Sequence, residues 1–505
     1  MPTNSIAKSG EKWLWLAALV VIFATALLIR LYDLDDPPLD FHVPRQIHSA
    51  VLARGFYAET ALEMPAGERS LAVAMGRSEK WIEPPLLEAL VSQLYRLVRA
   101  PDLRIPRVLN SLIWLLGGLP LYRLARKWTN RGGAAVGLIF YLLLPYAVIA
   151  SRAFQPDPLM VTLTLFSFWT VWSWMDRPGW ATAALTGLLA GLTVLVKPVA
   201  AFWMAGGLAG LFLAGWGLRR AVKDGRVWLM AAMTALPTLA YTLYGMSAGF
   251  LGEQFALRFL PNMLATAAFW LNWAGMIEKT VSVAAFLLAL AGLLLTTRDR
   301  GRGLLWGWLA GYVIYGIVFT YTIQSHDYYQ EPLIPLAALG LAGLAGAAWN
   351  ALQVVNRRSL AVIVVTGLLA AGSLWAIYQA RNILKKADYR GQPELWAGLA
   401  QQMGGDSSTV IGLFDDYGGK LQYYGYLLPT MWASTGDLNL RGITDPGDIR
   451  ETFLQAAAGK KYFVITDFDD FDKQAELKTL LETQYPVFAQ GNDYLIYDLT
   501  KPATK

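Results

Sequence analysis

At 505 residues the chain is 55% hydrophobic and only 16% charged, with mean hydropathy +0.37, where a soluble protein carries about 25% charge. This excludes an ordinary soluble enzyme, and the absence of Cys excludes disulfides, thiolate metal sites and Cys nucleophiles. The +6 net charge hides two opposite parts: residues 385–505 hold 12 basic and 17 acidic side chains, net −5, and the remainder is +11, which suits anionic lipid and phosphate and gives no reason to invoke nucleic acid.

Apolar runs long enough to cross a bilayer lie at about 13–32, 105–126, 133–150, 158–175, 181–196, 199–217, 228–247, 280–297, 303–323, 332–350 and 359–378. They predict a polytopic α-helical membrane protein of about 11 transmembrane helices. Lys8 and Lys12 precede the first run and no small-residue cleavage site follows it, so it reads as a retained helix. With the N-terminus inside, sixteen Lys and Arg fall at inner ends, among them Arg123, Arg131, Arg220, Arg300 and Arg357. Only Arg152, Lys197, Arg258 and Lys279 fall in short outer loops. This bias sets the expected orientation and puts the segment after Tyr378 outside.

The first outer loop, 33–104, opens with YDLDDPPLDFHVPRQIHSA from Tyr32. Its prolines fix φ and disfavour helix, holding Asp40 on a stiff bend at the membrane edge. A carboxylate there can take a proton from an incoming hydroxyl or amine, and Arg45 and the imidazoles can face phosphate oxygens. A solvated acidic loop capping the next helix is the plain alternative. Further on, Glu83-Pro84-Pro85 opens an amphipathic segment through Val98, with Leu86, Leu87, Leu90, Leu94 and Leu97 as its apolar stripe, expected in the membrane interface.

Other polar residues interrupt the apolar runs on the same outer face: Ser151-Arg152 with Gln155-Pro156-Asp157-Pro158, Lys197-Pro198, and Ser325-His326-Asp327-Tyr328-Tyr329-Gln330. Ionisable groups at a membrane boundary are costly unless used or paired, so their gathering implies one polar cavity. Each has a plainer reading: a snorkelling Arg152 or Lys197, Asp157 as a helix N-cap, belt aromatics at Tyr328 and Tyr329. After the last run, short apolar stretches (Thr409–Phe414, Tyr462–Thr466, Tyr494–Tyr497) alternate with helical ones (Pro393–Met403, Asp472–Thr483), predicting a soluble C-terminal α/β domain.

In this order the motifs resemble those of the GT-C glycosyltransferases. The likeness is to the lipid-carrier-dependent group that includes protein O-mannosyltransferases and the aminoarabinose transferase. An acidic residue follows the first span (Asp40), SR-xxx-D the third (Ser151, Arg152, Asp157), Lys-Pro the fifth (Lys197, Pro198), and His-Asp-Tyr-Tyr the ninth (His326 to Tyr329). Glu83-Pro84-Pro85 resembles the family's His-Pro-Pro opening of an interface helix. One departure is Asp40-Phe41, where the family usually has Asp-Glu. It leaves Asp40 alone as base and weakens any metal assignment.

The resemblance covers about residues 13–380. It implies a catalytic membrane domain over 1–380, with 33–104 as its first outer loop, and an extracytoplasmic α/β domain over 385–505. The implied activity is inverting sugar transfer from a polyprenyl-phosphate sugar to a glycan, lipid or protein acceptor, at the outer face of a bacterial-type inner membrane. Asp40 would be the base, and Lys197, Arg152, Arg45, His326, Tyr328 and Tyr329 would hold the donor phosphate. Asp157, His42, Gln46, Asp327 and Glu83 would bind substrate or support the site. No cofactor is implied; a divalent metal is possible but not required. A transporter or flippase of a lipid-linked anion is the alternative from another class, disfavoured by the lack of paired repeats.

Overall fold

The computed structural model describes residues 3–81, 83–249, 259–296, 298–352, 358–440 and 449–501; Arg258 and Arg357, counted in the charge bias, lie outside them. The first part of the chain is helical: α1 (Thr3–Leu31), α2 (Val43–Ala58), α3 (Ala66–Ser78), α4 (Leu86–Val98), α5 (Arg104–Ala125), α6 (Arg131–Leu143), α7 (Pro145–Ala150), α8 (Asp157–Asp176), α9 (Trp180–Val196) and α10 (Ala201–Gly215). After them come α11 (Gly225–Ser247), α12 (Ala267–Val281), α13 (Val283–Leu295), α14 (Asp299–Val318), α15 (Leu333–Leu352) and α16 (Arg358–Leu384).

Every expected apolar run is a helix, though not always an unbroken one. Among the described residues six helices are long and apolar enough to cross a membrane, or seven if the bent pair α12–α13 counts as one. The other expected runs fall short of that measure. Pro145 divides α6 from α7, α9 is 17 residues long, and Trp, Thr, Ser and terminal charges dilute α8 and α14. The expected span at 280–297 needs correction: it begins at Val283, after an 85° bend from α12. Ser282 makes the corner with φ 60° and caps the new helix by accepting from Ala285 N at 3.1 Å.

The chain divides into two compact units. The first comprises Met1–Leu34, Trp81–Leu87 and Arg104–Ala387. Its core is built from the helices after α4, and its tightest seam is between α10 and α14. A Cβ on Gly206 or Gly210 would run into the carbonyl oxygen of Gly307 or Gly303, so the glycines permit backbone contact that lipid-embedded helices use in place of hydrophobic collapse.

The second unit comprises Asp35–Lys80, Glu88–Leu103 and Asp388–Lys505. The sequence reading assigned 33–104 to the membrane domain; in the structure most of that loop groups with the tail. The tail holds α17 (Gln392–Gln402), β1 (Val410–Leu413), α18 (Gly419–Gly425), β2 (Thr430–Met431), β3 (Tyr462–Ile465), β4 (Val487–Gln490) and β5 (Leu495–Asp498). The sheet order is β2-β1-β3-β5-β4, parallel on either side of β1 and antiparallel beyond β3. The expected strands are β1, β3 and β5. The two-residue β2 is too short to announce itself, and the apolar part of β4 is only the three residues Val487-Phe488-Ala489.

The loop is tied to the tail by buried polar groups. The guanidinium of Arg54 on α2 donates to the carbonyls of Tyr423 (2.5 Å) and Gln422 (3.3 Å) and sits over the rings of Tyr423 and Tyr426 at 4.3 and 4.2 Å. Glu79, closing α3, lies 2.6 Å from His48 Nδ1 and accepts from Gln422 Nε2 at 2.7 Å.

Burial works against the Glu79 charge, but the bonds from His48 and Gln422 outweigh it and hold the carboxyl below its ordinary value. Such a group contributes stability that is full above its unfolded pKa and lost as pH falls through the folded one. Glu79→Gln is therefore expected to loosen α3 at neutral pH by about 1–3 kcal/mol. Amide exchange over residues 66–78 of the full-length protein would read this loss, with wild type and variant converging below about pH 4.

Candidate active site

In the first unit, three segments far apart in sequence meet around Lys197. The lysine ends α9 in an extended conformation (φ −149°), because Pro198 follows it and opens a 3-10 turn into α10. It is 3% exposed. Its Nζ forms a short ion pair with Asp157 Oδ1 and lies over the rings of Tyr328 and Tyr329, 5.0 and 4.9 Å from their centroids. A desolvated ammonium over an aromatic face gains up to about 2 kcal/mol, so the paired rings form a polarisable wall beside the charge.

Asp157 is the first residue of α8, and its side chain caps nothing there; the N-cap is Pro156. The capping reading is thus replaced by a counter-ion reading. The buried ammonium of Lys197 has a counter-ion within the protein. The turn leading to Asp157 is pinned from two sides. Arg30, fully buried on α1, donates to Ser151 Oγ (2.8 Å) and to the carbonyls of Leu142 (2.8 Å) and Ala147 (3.4 Å). Asn110 on α5 donates to the carbonyls of Ala153 (2.5 Å) and Gln155 (3.3 Å). Arg152, 2% exposed, donates to the carbonyl of Asp33 at 3.0 Å, binding this turn to the exit of α1.

The His326–Gln330 segment is a 3-10 helix from Asp327 to Gln330, preceded by His326. Gln330 anchors it, accepting from Tyr312 and donating to the Ile323 carbonyl at 2.7 Å. Asp327 accepts from Tyr146 on α7 at 2.9 Å. His326 meets Tyr328 and Tyr329 edge-on, at 5.6 and 6.0 Å between centroids. The structure thus brings Asp157, Lys197, Asp327, Tyr328, Tyr329 and His326 into one neighbourhood of the first unit.

Sequence reasoning missed Glu331. This residue has no exposed surface and accepts from Gln155 Nε2 at 3.2 Å. Burial pushes its carboxyl well above the ordinary range; the neighbouring Asp157 adds to the shift and Lys197 opposes it. An ionisable residue before Pro332 at the edge of a span is itself a costly placement, and that signal lay one position beyond the motif read from the sequence.

Asp40, His42, Arg45 and Gln46 belong to the second unit. The prolines do keep 35–42 out of helix, and Asp40 is half-buried on the bend. His42 adopts φ 44° and hands the chain to α2, with Pro44 in its first turn. Arg45 and Gln46 therefore lie on a helix, not on the bend, and Gln46 donates back to the Phe41 carbonyl at 2.6 Å. Buried Asp36 accepts from Tyr389 N at 2.7 Å and lies 3.8 Å from Arg390, so the start of the tail fixes the bend that carries Asp40. Glu83 is half-buried in the first unit, two residues after Trp81, whose carbonyl accepts from Tyr241 on α11 at 3.5 Å. Among the described residues no three His, Cys, Asp or Glu side chains converge as a metal ion would require.

The sequence model of the family described as Dolichyl-phosphate-mannose-protein mannosyltransferase matches residues 83–244. No curated protein matches the chain by sequence. In structure the chain is similar to ArnT from Cupriavidus metallidurans, solved bound to undecaprenyl phosphate. The identity is 16% and the TM-score 0.57, with 95% of this chain and 98% of that one covered. It is also similar to the oligosaccharyltransferase AglB from Archaeoglobus fulgidus, solved with an inhibitory peptide and a dolichol-phosphate, at 13% identity and TM-score 0.54. That match covers 94% of this chain and 73% of the other. The arabinofuranosyltransferase AftD from Mycobacteria matches at 16% identity and TM-score 0.56, over 96% of this chain and 40% of its own. At these identities the likeness is one of fold. The chain has the GT-C architecture that its motif order resembled, and the likeness extends through the tail.

The ion pair predicts an asymmetry. Asp157→Ala strands a buried ammonium and is expected to cost about 3–5 kcal/mol, whereas replacing both residues (Asp157→Leu with Lys197→Met) should be close to neutral for stability. Thermal unfolding of the purified variants in detergent checks this; equal destabilisation by the single and double changes would show that the pair does not act as a unit.

Proposed function

We propose that the chain is a membrane glycosyltransferase. It moves a sugar from a polyprenyl-phosphate-linked donor to an acceptor hydroxyl or amine at the outer face of a bacterial-type inner membrane, with inversion. The observation that carries this reading is Lys197, buried, charge-paired and walled by two tyrosines at a span reversal. Support comes from the fold shared with ArnT and AglB, which were solved with undecaprenyl phosphate and dolichol-phosphate, and from the mannosyltransferase match over 83–244.

The chemistry sets the roles. In the donor, phosphate joins lipid and sugar as a diester with one negative charge. When the bond from the anomeric carbon to the phosphate oxygen breaks, the lipid phosphate leaves with two. Lys197 meets the growing charge, the site where a fixed cation stabilises a transition state more than a ground state. Tyr328, Tyr329 and His326 hydrogen-bond the phosphate or stack on the sugar, and Arg152 and Arg45 add charge around it. Asp40 takes the acceptor's proton as the acceptor attacks from the face opposite the phosphate. Asp157 orients Lys197. His42, Gln46, Asp327 and Glu83 support the bend, the aromatic segment and the opening of α4. Because the leaving group carries its own phosphate, the proposal invokes no divalent metal.

Turnover of a polyprenyl-phosphate sugar by the purified full-length chain in detergent, followed as released polyprenyl phosphate, tests the reading directly. Lys197→Ala is expected to raise donor KM and lower kcat, together about ten- to a hundredfold, with Lys197→Arg recovering only part because a planar fork does not replace a point charge. Asp40→Asn is expected to abolish transfer nearly completely while donor binding stays within a few-fold. An active Asn variant would remove Asp40 from the mechanism.

The same reading places the tail outside the cell membrane. A cysteine introduced at Ser407 or Ser408 is expected to react with an impermeant thiol reagent in intact spheroplasts, and one introduced at Arg300 is not. The opposite labelling pattern would invert the orientation.

A further inference from the structure

Glu331 has no part in the roles above. It stands in the turn between the Asp327–Gln330 helix and α15, with no exposed surface. Charged and titratable groups reach it from each segment around it. Asp157 acts on it from α8, Lys197 from the end of α9, Asp327 from its own 3-10 turn, and Gln155 donates from the turn before α8. Tyr141 on α6 and Tyr146 on α7 interact electrostatically with it. Glu331 Oε2 and Asp157 Oδ2 are each left without a hydrogen-bond partner among the described residues.

Charge counting separates the two carboxyls. If Asp157 and Glu331 were both ionised beside Lys197, these three side chains together would carry net −1 and would repel the phosphodiester that Lys197 is proposed to hold. Asp157 has the ammonium directly against it. Among the described residues Glu331 is bonded only to a neutral amide. A buried carboxylate without a directly bonded cation lowers its cost by taking up a proton.

We propose that Glu331 is a proton-bearing positioning residue for Lys197: its proton keeps the group of Asp157, Lys197 and Glu331 neutral, and loss of that proton weakens the lysine's hold on an anionic lipid head group. The proposal rests on the reading of Lys197 as the phosphate-holding residue. Binding and ionisation are then linked reciprocally. An anion on Lys197 makes Glu331 harder to ionise, and ionised Glu331 weakens the anion's binding by the same factor. For a separation of about 8–12 Å and an effective dielectric near 20, that factor would be about ten- to thirtyfold.

The test uses the full-length protein in detergent with a polyprenyl methyl phosphate diester, which keeps a single charge between pH 5 and 9 and so contributes no titration of its own. Wild type is expected to bind it about ten- to thirtyfold more weakly at the alkaline end. Glu331→Gln, permanently neutral and nearly isosteric, should hold the tight affinity throughout. Gln155→Leu removes a donor that favours the ionised form, so it should move the wild-type fall to higher pH. A flat wild-type profile, or a fall that persists in Glu331→Gln, overturns the proposal. On wild-type protein alone, carbon-13 labelling of glutamate should reveal an infrared band of a protonated glutamic acid that fades over the same pH interval; its absence at pH 6 overturns the proposal even if the variants do not fold. Lys197→Ala separates the two readings. Binding that is lost in Lys197→Ala but flat in pH sinks only the Glu331 proposal, whereas a diester that never binds wild type, or binds Lys197→Ala as tightly, sinks both.

Discussion

An ammonium and a carboxylate buried against each other at the end of α9 constrain the whole first unit. Taking two ions out of water is repaid only when the partner is held in close geometry, so every element that positions Asp157 or Lys197 is under the same demand. Pro198 stops α9 where the lysine must turn inward. Arg30 holds the Ser151 hydroxyl and Asn110 the carbonyls of Ala153 and Gln155 in the turn before Asp157, and Gln330 fixes the 3-10 turn that brings Tyr328 and Tyr329 over the ammonium. Loosening any one of these anchors would expose part of that desolvation cost.

In the second unit the constraint differs in kind. The loop after α1 carries few apolar side chains over 35–42, so it cannot hold a single conformation by burial alone. It is fixed by polar ties to residues more than three hundred positions away: Asp36 to Tyr389 N, Arg54 to the carbonyls of Gln422 and Tyr423, Glu79 to Gln422. The tail is therefore part of the folding of the segment that carries Asp40. A bend made stiff by Pro37 and Pro38 still needs its direction set, and the buried Asp36 carboxylate sets it.

These contrasts explain what the sequence could disclose. Membrane helices announce themselves because twenty apolar residues in a row have few other uses, and the strands β1, β3 and β5 announce themselves because a buried strand is a short apolar run. Lys197, Asp157 and Tyr328 stood out because polar residues are conspicuous at the end of such runs. Their pairing did not, since forty residues separate Asp157 from Lys197 and nothing in the local pattern distinguishes a cap from a counter-ion. The grouping of the first loop with the tail was invisible for the same reason: it rests on single hydrogen bonds across the chain, which leave no periodicity. Glu331 was passed over because it looked like the last polar residue of a loop; its place before Pro332 at the edge of a span was a signal in the sequence, and its complete burial shows the cost.

The internal counter-ion also bears on how such a pocket can work at all. A lone buried lysine would lose its proton or its fold between substrates, and a lysine fully neutralised by carboxylates would have nothing left to offer an anion. Asp157 answers the first problem by standing directly against the ammonium. The tyrosine rings ease the second, because their faces favour the cation without neutralising it. Under the proposed role, a phosphate at this site would meet a charge that is already dehydrated and oriented, and would gain from it without having to strip its water. On the same reading, each further ionised acid beside Lys197 would subtract from the attraction that the lysine supplies.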